Sequence, residues 1–411
     1  MAQTPRERFG IMTAPSQVEY DDVLRVWREA DMIPEIEHAW LFDHLMPIFG
    51  DRDGPTHEGW TLLSALAAQT HRLRVGLLVT SNRFRPPAML AKIATTVDIV
   101  SGGRLDFGIG AGSRPSQPLA RREYEAHGLP FHDFSHSVES LAEALTVIRR
   151  LSTETEPFDF TGTHVRLTGA FGNPKPVQRP HPPILVGGRS APLLRVVAEH
   201  ADVWNIPGDD IDDAIGRSAL LDHYCAEIGR DPASLTRSVY LSASYDRPDV
   251  TRDAIGRAID AGFQHLVLGL PNPYPVGVAQ WVVDELITKA ASTLSARKSR
   301  PGVLSRASVD LGLPRHQKGH PDQLQSNCAD EQRMRTAGAT PRHQPGKTAE
   351  KHHTAHRAEA WALFVDVGDG GPDDRRGGEP KCAGEAVLAV GAWFKSTVIA
   401  GQRRRTGDHA R

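Results

Sequence analysis

The chain has 411 residues, of which 39% are hydrophobic and 24% charged, and its formal net charge at pH 7 is −2. This balance gives no general attraction to nucleic acid or to an anionic membrane surface. Three cysteines are too few for a disulfide framework, no apolar run approaches the ~20 residues of a membrane span, and the first residues lack the apolar region of a signal peptide. We therefore expect a soluble cytoplasmic protein without a nucleic-acid or membrane partner.

Short apolar runs alternate with amphipathic stretches through residues 1–295. The predicted strands are Phe9–Thr13, Ala39–Asp43, Leu73–Thr80, Arg104–Ile109, Pro183–Val186, Asp202–Asn205, Val239–Ala243 and His265–Leu270. The predicted helices are Tyr20–Met32, Gly59–Gln69, Pro87–Val100, Ser137–Leu151, Ala191–His200, Ile211–Ile228, Val250–Ala261 and Val278–Thr288. Eight strand–helix units in roughly 290 residues favour a single (β/α)8 TIM barrel, an α/β fold, over a doubly wound sheet.

Two connections are longer than an ordinary strand–helix loop. Residues Gly110–His136 follow the fourth strand, and residues Phe158–Gln178, which include a hairpin-like stretch, precede the fifth. Long ordered loops on a barrel commonly serve its site. We therefore expect both insertions to lie near the site.

Polar and glycine residues gather where predicted strands end, which is where barrel enzymes hold their chemistry. Gly187 and Gly188 end the fifth strand, and Arg189 and Ser190 lead into a helix. Glycines admit close backbone approach and a helix N-terminus attracts anions, so this turn predicts a phosphate site. A tight turn that merely needs glycine is the alternative.

The pair Asp43–His44 ends the second strand. Such a pair is consistent with a buried polar contact, two zinc ligands or an acid/base. Histidines at 127, 132 and 136, and others in residues 351–356, lack the partners and framework of a metal site. We therefore predict no metal.

Residues 296–411 differ from the rest in composition. Within residues 301–411, Leu, Ile, Val and Phe total 16 of 111 and tyrosine is absent. That share is below the ~20% usually needed for a core, so we predict a mostly disordered tail after a barrel domain of residues 1–295. The tail is rich in Arg, Pro, Gly and His and lacks tyrosine, and this composition also resembles the product of out-of-frame reading of GC-rich DNA.

Several motifs in this order resemble the bacterial-luciferase-like (luciferase-like monooxygenase) superfamily, in particular its deazaflavin (coenzyme F-420)-dependent oxidoreductases. The motifs are Asp43-His44, Ser101–Leu105 running into Gly108–Gly112, Glu123–Phe131, Pro182–Gly188 and Ala201–Asn205. The resemblance covers about residues 8–290. The sugar dehydrogenases of that branch have a glutamate after the fourth-strand glycines, whereas this chain has Ser113, which argues against sugar-phosphate oxidation.

The resemblance implies that the barrel holds 8-hydroxy-5-deazaflavin (coenzyme F-420), or alternatively FMN, at its C-terminal mouth. Asp43 and His44 would lie beside the ring as catalytic residues, with His44 as base or proton shuttle. The third strand would end, around Leu78 and Thr80, in a bulge with a non-prolyl cis peptide. Gly110, Ala111 and Gly112 would line the ring edge, and Gly187, Gly188, Arg189 and Ser190 would hold the phosphate.

Four functions stay open at this stage. They are hydride transfer between a bound deazaflavin and a small organic substrate, FMN-dependent two-component monooxygenation with O2, coenzyme binding without turnover, and metal-dependent hydrolysis. No dinucleotide fingerprint is recognisable, so hydride would come from the bound coenzyme or from a separate flavin or deazaflavin reductase. That reductase and a second copy of the chain are the candidate protein partners.

Overall fold

The computed structural model describes residues 6–114 and 116–298. Its strands are β1 Arg8–Met12, β2 Ile36–Leu41, β3 Arg74–Leu77, β4 Thr80–Ser81, β5 Leu105–Gly110, β6 Phe158–Thr161, β7 Arg166–Ala170, β8 Ile184–Gly187, β9 Val203–Pro207, β10 Thr236–Ser242 and β11 His265–Gly269. Except for β6 and β7, they form one parallel sheet, closed by the pairings β1–β11 and β3–β5. Because β3 and β4 are successive parts of one barrel strand, the sheet is an eight-stranded α/β barrel.

Most of the helices cover the outside of the sheet, and α4 lies in the first insertion. The helices are α1 Tyr20–Asp31, α2 Gly59–Ala68, α3 Pro87–Val100, α4 Pro118–Ala126, α5 Phe134–Thr153, α6 Ala191–His200, α7 Ile211–Glu227, α8 Pro248–Asp260, α9 Val278–Trp281 and α10 Thr288–Lys298. A short 3-10 turn, Pro232–Ser234, precedes β10, and a π-helical stretch, Val282–Ile287, joins α9 to α10. None of the helices in the described part of the chain is long and apolar enough to cross a membrane.

The predicted TIM barrel is confirmed, and the elements agree with the prediction within a few residues. Helix α3 begins at Pro87, where proline is tolerated because the first helical N–H has no partner inside the helix. The predicted hairpin is the antiparallel pair β6–β7. Helix α4, inside the first insertion, was not predicted. The boundary predicted at residue 295 falls within α10, and the tail from residue 299 lies outside the described residues.

Two apolar clusters stabilise the fold. The larger lies between the sheet and its helices, and Trp27, Leu63 and Trp204 in it are fully buried. The smaller fills the barrel and extends to the C-terminal ends of the strands, where Met12, Phe42 and Leu78 meet residues of the first insertion. Cys225 is fully buried in the larger cluster.

Candidate active site at the mouth of the barrel

The candidate site lies at the mouth, the end of the barrel where the C-termini of all parallel strands meet. The turns after β2, β4, β5 and β8 contribute to it, and helix α4 adds an inward face of Ala120, Glu123 and Tyr124. These three residues have the spacing of one helix face. The first insertion is therefore part of the site.

His44, directly after β2, is paired with Glu123. Its Nδ1 lies 3.1 and 3.0 Å from the two carboxylate oxygens, and Glu123 also accepts the backbone N–H of Leu45 at 2.6 Å. His44 is 6% exposed and Glu123 is 2% exposed. The carboxylate therefore fixes the orientation of the imidazole ring and the role of its Nδ1.

The environment raises the pKa of His44. Burial alone lowers it, because desolvation disfavours the charged imidazolium, but the charge and hydrogen bond of Glu123 and the charge of Asp43 outweigh that effect. The raised pKa extends the range of pH in which His44 carries a second proton. A histidine of this kind can give a proton to a substrate or take one from it.

Asp43 is held by a buried ion pair. Arg85 donates from Nη1 to Oδ2 and from Nη2 to Oδ1, the latter at 3.0 Å, and also pairs with Glu58. The hydroxyl of Thr80 donates to the same carboxylate. The Asp43 side chain has no exposed surface. This arrangement fixes the turn that carries His44, and the catalytic part predicted for Asp43 stays a prediction.

The peptide between Leu78 and Val79 is cis, so the third barrel strand contains the non-prolyl cis bond that the resemblance implies. The Val79 side chain lies close to two glycines, Gly110 at the end of β5 and Gly187 at the end of β8. A Cβ on Gly110 would lie 2.9 Å from Val79 Cγ2, and one on Gly187 would lie 3.0 Å from Val79 Cγ1. A side chain at either glycine position would press against Val79, and its absence lets a flat ligand approach the backbone there.

The turn after β8 has the features of an anion site. Ser190 is fully buried at the N-terminus of α6, and its hydroxyl makes no capping hydrogen bond and has no partner among the described residues. Arg189 pairs with Asp209 and Asp213 at 3.0 and 3.4 Å. Ser190 is therefore not a side-chain cap, and its orphaned hydroxyl and the free helix N–H groups fit a phosphate.

The remaining predicted ring-edge residues lie beside the insertion. Ala111 is buried, and Gly112 adopts a left-handed φ of +89°. A Cβ on Gly112 would lie 2.7 Å from Ser81 Oγ and 2.8 Å from the Tyr124 hydroxyl, which are themselves 3.0 Å apart. A side chain at position 112 would therefore displace the contact between β4 and α4.

Other histidines stack on one another or bond to the backbone. His38 and His265 stack inside the barrel at 3.9 Å, and burial lowers the pKa of His38 to about 3, so both rings stay neutral. His132 and His136 stack in the first insertion, while His127 bonds to the backbone of Glu123. No cluster suited to a metal ion occurs among the residues described by the structure.

A closed parallel barrel with a buried histidine–carboxylate pair and glycines at its mouth has the architecture of a barrel enzyme. The sequence matches the luciferase-like monooxygenase family over residues 6–312, and the chain belongs to that family. Uncharacterized proteins of Mycobacterium tuberculosis and Mycobacterium bovis are 30% identical to it over 223 residues, which are 54% of this chain and 71% of theirs.

Solved structures share the fold. An F420-dependent secondary alcohol dehydrogenase has a TM-score of 0.60 at 18% identity, covering 69% of this chain and 98% of that one. A coenzyme F420-dependent tetrahydromethanopterin reductase from Methanopyrus kandleri has a TM-score of 0.58 at 18% identity, over 69% and 99% of the chains. The monooxygenase RslO1 from Streptomyces bottropensis has a TM-score of 0.57 at 20% identity, over 69% and 99%. At identities this low, the structural similarity shows a common fold and nothing further.

Sequence reasoning missed two groups of the site. Glu123 lies within a motif quoted for the resemblance, but its contact with His44 was not predicted because helix α4 was not recognised. The available signal was a glutamate at the inward spacing of Ala120 and Tyr124. Arg85 follows the third barrel strand by four residues, and nothing in its local pattern indicates that it would pair with Asp43.

Proposed function

We propose that the protein is a deazaflavin-dependent oxidoreductase that transfers hydride between the bound coenzyme and a small organic substrate. The observation that carries the proposal is the buried His44–Glu123 pair, which supplies an oriented proton donor and acceptor at the mouth. The resemblance in motif order and the fold shared with deazaflavin-dependent enzymes support the choice of coenzyme.

The residues at the mouth fit such a coenzyme. The turn Gly187–Ser190 would hold the phosphate through the orphaned hydroxyl and the helix N–H groups. Leu78, Thr80 and Gly110–Gly112 would line the ring on the side of the cis peptide. When bound, the coenzyme supplies the hydride donor or acceptor, and the protein provides orientation and proton transfer.

His44 and Glu123 would move the proton that accompanies hydride transfer. When a carbon that bears a hydroxyl group loses hydride, the hydroxyl proton must leave too, and we assign Nε2 of His44 as its acceptor. In the opposite direction the imidazolium returns that proton to the carbonyl oxygen. Reduction of substrate would need the protonated ring and oxidation the neutral ring, so reduction is favoured at lower pH and oxidation at higher pH. The raised pKa of His44 moves the change between them to higher pH.

The experiment is a pair of titrations of the purified protein, one with 8-hydroxy-5-deazaflavin coenzyme and one with FMN, followed by fluorescence quenching. We expect saturable binding of the deazaflavin and much weaker binding of FMN. Tight FMN binding with oxygen-dependent turnover in the presence of a reductase would instead favour the monooxygenase function, which relatives of the same fold carry. Binding without any turnover would favour a coenzyme-binding protein.

A further inference from the structure

Arg83, two residues beyond β4, has an unsatisfied guanidinium. Its Nε and Nη2 are closed off from solvent and have no hydrogen-bond partner within residues 6–114 and 116–298. Its Nη1 makes one long hydrogen bond to the Ser113 carbonyl at 3.3 Å. Burial lowers the pKa of Arg83, and the opposing effects of the nearby Tyr124 hydroxyl and of the Asp133 charge do not outweigh it.

Among the described arginines, Arg83 alone leaves two buried nitrogens without a partner, whereas Arg149 and Arg189 each leave only Nε. Other arginines are fully satisfied by the protein. Arg104 donates to the carbonyls of Ala67, Thr70 and Leu73, and Arg85 is bidentate to Asp43. A buried charge without partners is costly, because it loses hydration and gains nothing in return. The exception at Arg83 therefore points to a partner from outside the chain.

The unsatisfied edge has a specific shape. Nε and Nη2 form one edge of the planar guanidinium group, and their parallel N–H bonds match two oxygens of one oxyanion. The rings of Tyr124 and Phe131 lie 5.4 and 5.3 Å from the guanidinium carbon. Tyr124 follows Glu123 on α4, so this edge lies within the mouth.

We propose that the Nε–Nη2 edge of Arg83 binds an oxyanion, a carboxylate or phosphate group, of the organic substrate. The proposal rests on the proposed function, because it assigns the substrate class of the same site. It makes the substrate an organic acid or phosphate ester whose anionic group is held beside α4, apart from the coenzyme phosphate at α6. Phe131, on the loop between α4 and α5 and only partly buried, is the covering group that has to shift for entry.

The test measures thermal melts of the coenzyme-saturated protein while sodium phosphate or sodium acetate replaces sodium chloride at constant ionic strength. The variants are Arg83→Gln, Arg83→Lys and, as a matched control, Arg122→Gln, an exposed arginine on α4 that pairs with Asp53. We expect the anions to raise the melting temperature of wild type and of Arg122→Gln equally. In Arg83→Gln the half-maximal anion concentration should rise by about tenfold or more, the size of a lost charge-assisted pair, with Arg83→Lys between.

Equal anion responses in Arg83→Gln and wild type, or no response in wild type, would overturn the proposal. Arg83→Lys keeps the charge, so it decides the matter should Arg83→Gln fail to fold. If neither coenzyme binds, the proposed function fails by itself. In that case the anion response is measured without coenzyme in two variants, Gly188→Asp and Gly188→Asp/Arg83→Gln. The added carboxylate blocks anion binding at the α6 turn in both variants, so they differ only at Arg83. A difference between these two still supports an oxyanion site at Arg83, and equality excludes it.

Discussion

His44 and Glu123 are 79 positions apart in the chain, yet His44 Nδ1 lies 3.0 Å from Glu123 Oε2. The same carboxylate accepts the N–H of Leu45, so it binds the turn after β2 through both a side chain and the backbone. The first insertion, which follows β5, is thereby fastened to the turn after β2. One glutamate both sets the protonation of the candidate catalytic histidine and holds in place the helix that covers it.

Glu123→Gln should lower the pKa of His44, because burial then acts without the opposing charge. The pair contributes stability below the ordinary histidine pKa near 6.5, and this contribution is lost as pH rises through the raised pKa of the folded state. The stability difference between wild type and variant should therefore shrink from about pH 6 upward. NMR titration of the His44 ring and denaturant unfolding at several pH values measure both effects. Glu125→Gln, exposed on the same helix, should change neither.

His44→Ala should keep coenzyme affinity within several-fold and lower turnover by ~10²-fold or more, the usual size of a lost acid/base. The control is His127→Ala, which removes a ring that bonds only to the backbone of α4 in the described contacts. Steady-state rates and coenzyme titrations measure the two quantities. Unchanged turnover in His44→Ala would remove this residue from the mechanism.

Asp43→Asn should destabilise the protein by about 3 kcal/mol or more, because it leaves the Arg85 charge without its bidentate partner. Asp53→Asn is the matched control: this carboxylate is 80% exposed and pairs with Arg122, so its loss should cost under about 1 kcal/mol. Chemical unfolding gives both free energies. A stable Asp43→Asn protein with reduced turnover would instead indicate a direct catalytic part for Asp43.

Ser190→Ala should weaken coenzyme binding while leaving the free energy of unfolding nearly unchanged. A serine at a helix N-cap normally contributes about 1 kcal/mol through its hydrogen bond, but the Ser190 hydroxyl makes none. Asp210→Ala should show the reverse, because this side chain caps α7 by accepting the N–H of Asp213 at 3.0 Å. Coenzyme titration together with thermal melts separates the two outcomes. Equal affinity of Ser190→Ala and wild type would place the phosphate elsewhere.

A chain that ends at residue 298 should fold and bind coenzyme as the full chain does. It retains every described strand and helix, including α10, in which Leu294 is buried. The low apolar share of the remaining residues predicts that they add no core. Paired thermal melts should agree within a few degrees, and coenzyme titrations should coincide. Aggregation of the shorter chain would mean that the tail packs on the barrel.

The barrel and several candidate site positions could be predicted from sequence because local rules govern them. Alternating apolar runs gave the eight strand–helix units, and Pro87 marked the beginning of α3. In a parallel barrel every strand end faces the same mouth, so a residue after a strand, such as His44 or Gly187, is placed near the site by topology alone. The luciferase-like family was also evident from the order of short motifs.

The partners of those residues were decided only by tertiary structure. The sequence near Asp43 does not predict its contact with Arg85, and the sequence near His44 does not predict its contact with Glu123. Both contacts depend on how loops from different strands fold over the mouth. Ser190 shows the same limit: its position suggests a helix cap, but its hydroxyl has no partner. Local periodicity fixes which backbone segments form strands and helices, whereas the protonation of His44 and the unsatisfied edge of Arg83 follow from charges and burial that exist only after the segments have packed.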